Sequence, residues 1–187
     1  MPGEYAFSFT PKKPGNYRAW ADLRTTYGGF QEYASADLLA TTKGGPVEDR
    51  SIKLRSELEG LRYTLSLDAP NAKINPGEPV RLRLRVTDGK GKPFRGLEPI
   101  MATFAHLVAF NEDWKTVLHL HPKETKTPLP NDRGGPELEF QLYATEPGFY
   151  RLFAQVQIGG TSKFVPFGLQ VAGSRPLAAR DAPPDRR

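Results

Sequence analysis

All of the histidines in the chain fall in one short segment, AHLVAFNEDWKTVLHLHP, residues 105 to 122: His106, His119 and His121. Imidazole nitrogen is a preferred ligand of borderline transition metals, and two histidines separated by one residue lie on the same side of an extended strand. ATFAHLVAF and KTVLHLH flank NEDW, whose polar residues suit a tight connection, so the segment predicts an antiparallel hairpin. Pairing Phe110 with Lys115 across that turn sets His106 opposite His119, and opposed residues share a face. The three rings then converge. Cα atoms two apart on a strand are separated by about 6.5 Å and opposed ones by about 5 Å, a span that imidazoles can bridge to one ion at about 2.0–2.1 Å.

Three neutral nitrogens suit Zn(II) or Cu(II), with a fourth position left for water or another ligand. Carbonic anhydrases use a comparable strand His-x-His plus a histidine from the neighbouring strand, a likeness of ligand geometry alone. A slip of one residue in register would turn His106 away. Met101 and Asp113 are further donors to consider, but Met101 precedes the pairing, and Asp113, like Glu112, reads as a solvent-exposed turn residue. The competing reading is structural. Val108, Phe110 and Val117 share the histidine face while Leu107, Ala109, Leu118 and Leu120 take the other, so both faces should be covered and the imidazoles could serve only as buried hydrogen-bonding groups. Metal ligation and packing both stay open, with pH sensing or catalysis behind them.

The elements that must position this hairpin are strands. Period-two alternation runs through Leu61–Leu67, Val80–Val86, Leu138–Leu142, Tyr150–Val156 and Val165–Val171, and turn-forming NPGEP and TDGKGKPFRG bracket the second of these. With the two histidine strands this predicts an all-β, antiparallel immunoglobulin-like sandwich of about seven strands over residues 60–172. A repeat precedes it. Residues 4–38 align with 137–169: Pro14-Gly15 on Pro147-Gly148, Tyr17-Arg18 on Tyr150-Arg151, Trp20-Ala21 on Phe153-Ala154, and Gly28-Gly29 on Gly159-Gly160 after a two-residue adjustment. Residues 1–39 therefore read as a partial, three-strand copy of the unit. With one apolar face and open edges it should lean on the complete domain or on another chain. Trp20, Phe153 and Phe164 are candidates for such an interface. Residues 40–59 read as a linker, polar over Lys43 to Pro46, with EDRSIKLRSELE suited to a short helical turn. Residues 173–187 read as a disordered tail.

Composition narrows the function. The 187 residues include 18 glycines, 18 prolines and no cysteine, which removes disulfides and thiolate ligands without fixing a compartment. The net charge of +5 is spread over Arg81, Arg83 and Arg85 on one strand face and Arg175, Arg180, Arg186 and Arg187 in the tail. That distribution, with no basic helix or stacking platform, argues against nucleic acid. No apolar run approaches the length of a membrane span, the first residues do not form an export signal, and no nucleophile elbow or phosphate loop appears.

MATFAHLVAFNEDWKTVLHLHP, followed by ATEPGFYRLFAQVQIGG and VPFGLQV, resembles a family of bacterial extracytoplasmic immunoglobulin-like or cupredoxin-like sandwich domains, known mainly as secreted or heavy-metal-associated proteins. The resemblance covers residues from about 60 to 172, and its most specific element is His-x-His-Pro. It implies export, a non-enzymatic role and a link to copper or other transition metals, with His106, His119 and His121 as the positions carried over. The chain departs from it in lacking an export signal and half of the first unit. The two functional expectations are thus a copper- or zinc-associated periplasmic or secreted sandwich, and an adhesion-type or structural module that meets a protein partner or its own copy through the partial unit.

Overall fold

The computed structural model describes residues 6–24, 31–38, 49–69 and 73–173, in two compact units, Met1–Asp49 and Arg50–Arg187. The second unit holds eight strands in two antiparallel sheets. One sheet has the order β3-β4-β5-β8, from β3 (Arg55–Leu58), β4 (Leu61–Asp68), β5 (Pro79–Asp88) and β8 (Glu137–Tyr143). The other has the order β10-β9-β6-β7, from β6 (His106–Asn111), β7 (Val117–Leu120), β9 (Gly148–Ile158) and β10 (Thr161–Val171). Alternation decides what lies inside. Leu82, Leu84 and Val86 of β5 are fully buried with Leu107, Ala109, Leu152, Ala154 and Val156 from the opposite sheet. The intervening Arg81, Arg83 and Arg85 are exposed. Arg81 pairs with Glu139 at 3.3 Å and Arg85 with Glu137 at 3.3 Å, so much of the basic stripe is answered by acids on the adjacent strand.

The seven strands expected from alternation are β4 to β10, and the eighth corrects the sequence reading. Arg55–Leu58 lies in the stretch read as linker with a helical turn, yet it pairs as Leu58↔Leu61 through Glu59-Gly60. Both turn residues have positive φ, 51° and 76°, the backbone of a two-residue hairpin turn that a helix cannot follow. Its most buried position is a serine: Ser56 donates its hydroxyl to the Pro166 carbonyl, while Leu58, on the same side, packs against the core. The same segment covers the outer edge of β10. Lys53 and Gly168 exchange backbone hydrogen bonds at 2.9 Å each, and a Cβ on Gly168 would meet the Ser51 carbonyl at 2.4 Å. An otherwise open edge, the only kind that tolerates Pro166, is thereby closed.

The chain entering β6 is held by a carboxylate. Glu98 accepts the amides of Gly159 at 3.1 Å and Gly160 at 2.8 Å, while its own amide donates to the Gln157 carbonyl at 2.9 Å. The Gly160 amide, assisted by Arg133 and Gly159, holds the Glu98 carboxyl below the usual range despite partial burial.

The first unit contains β1 (Tyr17–Arg24) paired with β2 (Gln31–Leu38). Its register reproduces β9–β10 position for position: Tyr17↔Leu38 corresponds to Tyr150↔Leu169, and Ala21↔Ala34 to Ala154↔Val165. The corners match as well. The Tyr17 hydroxyl donates to the Lys13 carbonyl at 2.6 Å and Tyr150 to Glu146 at 2.9 Å, each four residues back, in the manner of the tyrosine corner of sandwich folds. The third strand expected in this unit is not formed over the described residues Ala6–Thr10. Its counterpart, β8, pairs with β5 in the opposite sheet, and no described residue of the first unit takes the place of β5. Lys43–Pro46, Gly28-Gly29 and residues 174–187 lie outside the described residues.

Replacing Tyr150 by Phe should lower stability by about 1 kcal/mol, read as a shift in urea midpoint with unchanged m-value. For Glu98, a folded pKa below the unfolded one means stabilisation that is present above the ordinary glutamate value, about 4.3, and is lost as pH falls through the folded value. The advantage of the native protein over Glu98→Gln should therefore shrink as pH falls from neutral through about 4.3 and below; urea unfolding across that range measures it, and a constant difference would contradict the clamp.

Candidate metal centre

β6 is a central strand. It pairs with β9 on one side (His106↔Gln155, Val108↔Phe153, Phe110↔Arg151) and with β7 on the other (Val108↔His119, Phe110↔Val117). Leu107 and Ala109 point into the core, opposite Leu120 and Leu118, which pack against it. His106, Val108 and Phe110 therefore take the outer face, with His119 and His121. The rings gather there: centroids are 4.9 Å apart for His106–His119, 4.9 Å for His106–His121 and 4.8 Å for His119–His121, each pair nearly edge to face. One ligand nitrogen from each lies within 4.8 Å of the other two. His106 is 2% exposed, His119 half-buried and His121 exposed, so the trio runs from the sheet interior to solvent at the β7 edge.

The register differs from expectation by two residues. Phe110 opposes Val117, not Lys115, and continuing the ladder sets His106 opposite His121 instead of His119. An even shift keeps every side chain on its face, so the convergence survives. The cause lies in the turn. The connection runs from Asn111, whose amide bonds the Thr116 carbonyl at 3.0 Å, through Trp114, whose amide bonds the Asn111 carbonyl at 3.0 Å and whose φ is 57°. Asp113 organises it, its Oδ1 accepting the amides of Lys115 at 2.7 Å and Thr116 at 2.9 Å.

Neither Asp113 nor Glu112 is the solvated tip residue expected; both are partly buried. Glu112 pairs with Arg50 and lies against Gly148, where a Cβ would meet its Oε1 at 2.5 Å. Asp113 is not among the clustered donors. Met101 stands at the tip of a separate two-residue turn between Ile100 and Thr103, 66% exposed, with φ 47°.

Two residues beside the hairpin escape a sequence reading. Glu124, three residues beyond His121, accepts the Phe104 amide at 3.0 Å and the Thr103 hydroxyl at 2.9 Å, tying the chain after the last histidine to the chain before the first. Nothing in its local pattern announces this. Gln155 flanks His106 from β9; the alternation of β9 alone could have placed it on that face, but not beside His106. Glu124→Ala would strip the shared acceptor from two part-buried donors, so a loss of about 1–3 kcal/mol is expected, measurable by denaturant unfolding.

No protein of curated function matches the sequence. A family match covers residues 56–173, more than half of the chain, from within β3 to two residues beyond β10. It takes in the complete sandwich and its three histidines and leaves out the half copy. The chain belongs to the family described as a domain of unknown function, DUF8832.

Proposed function

We propose that this protein is a non-enzymatic, extracytoplasmic sandwich that binds one transition-metal ion, Cu(II) or Zn(II), through His106, His119 and His121. The observation that carries the reading is the approach of three ligand nitrogens to within 4.8 Å of one another on one sheet face. A tetrahedral ion about 2.0–2.1 Å from each nitrogen holds them roughly 3.4 Å apart, so side-chain rotations that bring the nitrogens up to about 1.4 Å closer to one another suffice. All-nitrogen ligation favours Cu(II) and Zn(II) over hard cations, which prefer oxygen. The exposed His121 leaves the ion reachable from solvent, as uptake requires. The family resemblance over residues 60–172 supports export and a non-enzymatic role. They are tested by fractionation of the native host and by assays of the loaded protein.

A second reading is favoured by the burial of His106 and the edge-to-face ring contacts: an interaction module in which the imidazoles only pack. Calorimetric titration of metal-free protein separates the two. Saturable binding of one ion per chain is expected, abolished by combined His119→Ala and His121→Ala, and weakened by acid because protons compete for the same nitrogens. Absence of saturable binding would leave the packing reading.

A further inference from the structure

We propose that Gln155 is the outer positioning residue of this centre, its carboxamide oxygen taking up, when the ion is bound, a hydrogen bond from the ring nitrogen of His106 that does not ligate the ion. The inference rests on the metal reading and concerns how His106, the most buried of the three, is held.

Gln155 is the direct cross-strand partner of His106 on β9. Opposed residues share a face, with Cβ atoms about 4.5–5.5 Å apart, within reach of a glutamine side chain. On the other flank of β6 stand His119 and His121. The ring of His106 thus lies between two imidazoles on the β7 side and one carboxamide on the β9 side. The two nitrogens of an imidazole diverge, so an ion shared with His119 and His121 engages one of them and leaves the other to a partner elsewhere around the ring, where the β9 side offers Gln155. At 2% exposure that N–H needs a protein acceptor rather than bulk water. Such an acceptor fixes the tautomer and raises the donor strength of the liganding nitrogen. Gln155 is itself partly buried. Its row of the sheet continues to Phe164 on β10, which offers no competing hydrogen bond.

The test uses the full chain and Cu(II) alone, with affinity from chelator competition and ligand geometry from electron paramagnetic resonance. Gln155→Met keeps the length and removes the acceptor; Gln155→Glu keeps an acceptor. The methionine variant should bind Cu(II) about 10–100-fold more weakly with altered spectral parameters, and the glutamate variant should recover native affinity or exceed it. The melting temperatures of both metal-free variants report that the fold is intact. Native affinity and spectrum in Gln155→Met, with binding still lost in the His119→Ala, His121→Ala protein, would overturn the role of Gln155 and leave the metal reading standing. Equal weakening in both Gln155 variants would reduce the residue to packing. No binding by the native chain would remove the centre altogether.

Discussion

The structure around the histidines depends on the parity of β6. Leu107 and Ala109 are fully buried against the opposite sheet, and their alternation with His106, Val108 and Phe110 is what sends the imidazole outward. A slip of one residue would exchange the two sets. It would cost about 1.5–3 kcal/mol for the leucine side chain and roughly 1–3 kcal/mol for each imidazole nitrogen forced into the core without a partner. The core therefore selects the face on which the histidines meet. β7, short and at the edge, could not impose this choice. β6 can, because it is hydrogen-bonded on both sides and apolar on its inner face.

Parity and register are different quantities, and the sequence carries them unequally. Alternation in β4 to β10 exposes parity directly, so the all-β sandwich, its core and the common face of His106, His119 and His121 were all legible. Register depends on how many residues the connection consumes, and that is written in side-chain hydrogen bonds. Asn111 and Asp113 bond the backbone of the turn, and Trp114 takes a positive φ that NEDW does not advertise. β3 was hidden for a different reason. Its most buried inward residue, Ser56, is held through a hydroxyl-to-carbonyl bond rather than through apolar area, so the alternation of Leu54 and Leu58, which pack against the core, is interrupted at its middle position. Only the Glu59-Gly60 turn between Leu58 and Leu61 could have disclosed it. Glu98 and Glu124 act across 20 to 62 residues of sequence, a separation at which local pattern is silent.

Both carboxylates serve the same end. Glu98 fastens the chain ahead of β6 to the β9–β10 turn, and Glu124 closes the chain beyond β7 onto the chain before β6. The hairpin is thus held at its open end by polar clamps, in its middle by the ladder to β9, and at its tip by Asp113. The charged outer face of the other sheet, where Arg81 and Arg85 meet Glu139 and Glu137, has no comparable restraint. Exposed pairs of that kind contribute about 0–1 kcal/mol each.

The half copy helps to separate scaffold from chemistry. β1–β2 preserves the pairing, the tyrosine corner and the Pro-Gly turn of β9–β10, but its counterparts of inward Leu152, Val165 and Phe167 are Ala19, Ala34 and Ala36. The bulk that fills a sandwich core has gone while the backbone plan remains, and Phe7 and Phe9, at the places of core residues Phe140 and Leu142, are exposed. On the opposite face the copy carries Trp20 at the place of Phe153 and Asp22 at that of Gln155. An oxygen acceptor therefore stands at the same outer position in both hairpins, although strand interiors generally favour β-branched or aromatic side chains. The imidazoles, by contrast, come from β6, β7 and the residue that follows β7, and β6 and β7 have no counterpart among the described residues of the first unit. What the two hairpins share is the platform with its polar outer position, and the imidazoles belong to the hairpin that β9 supports.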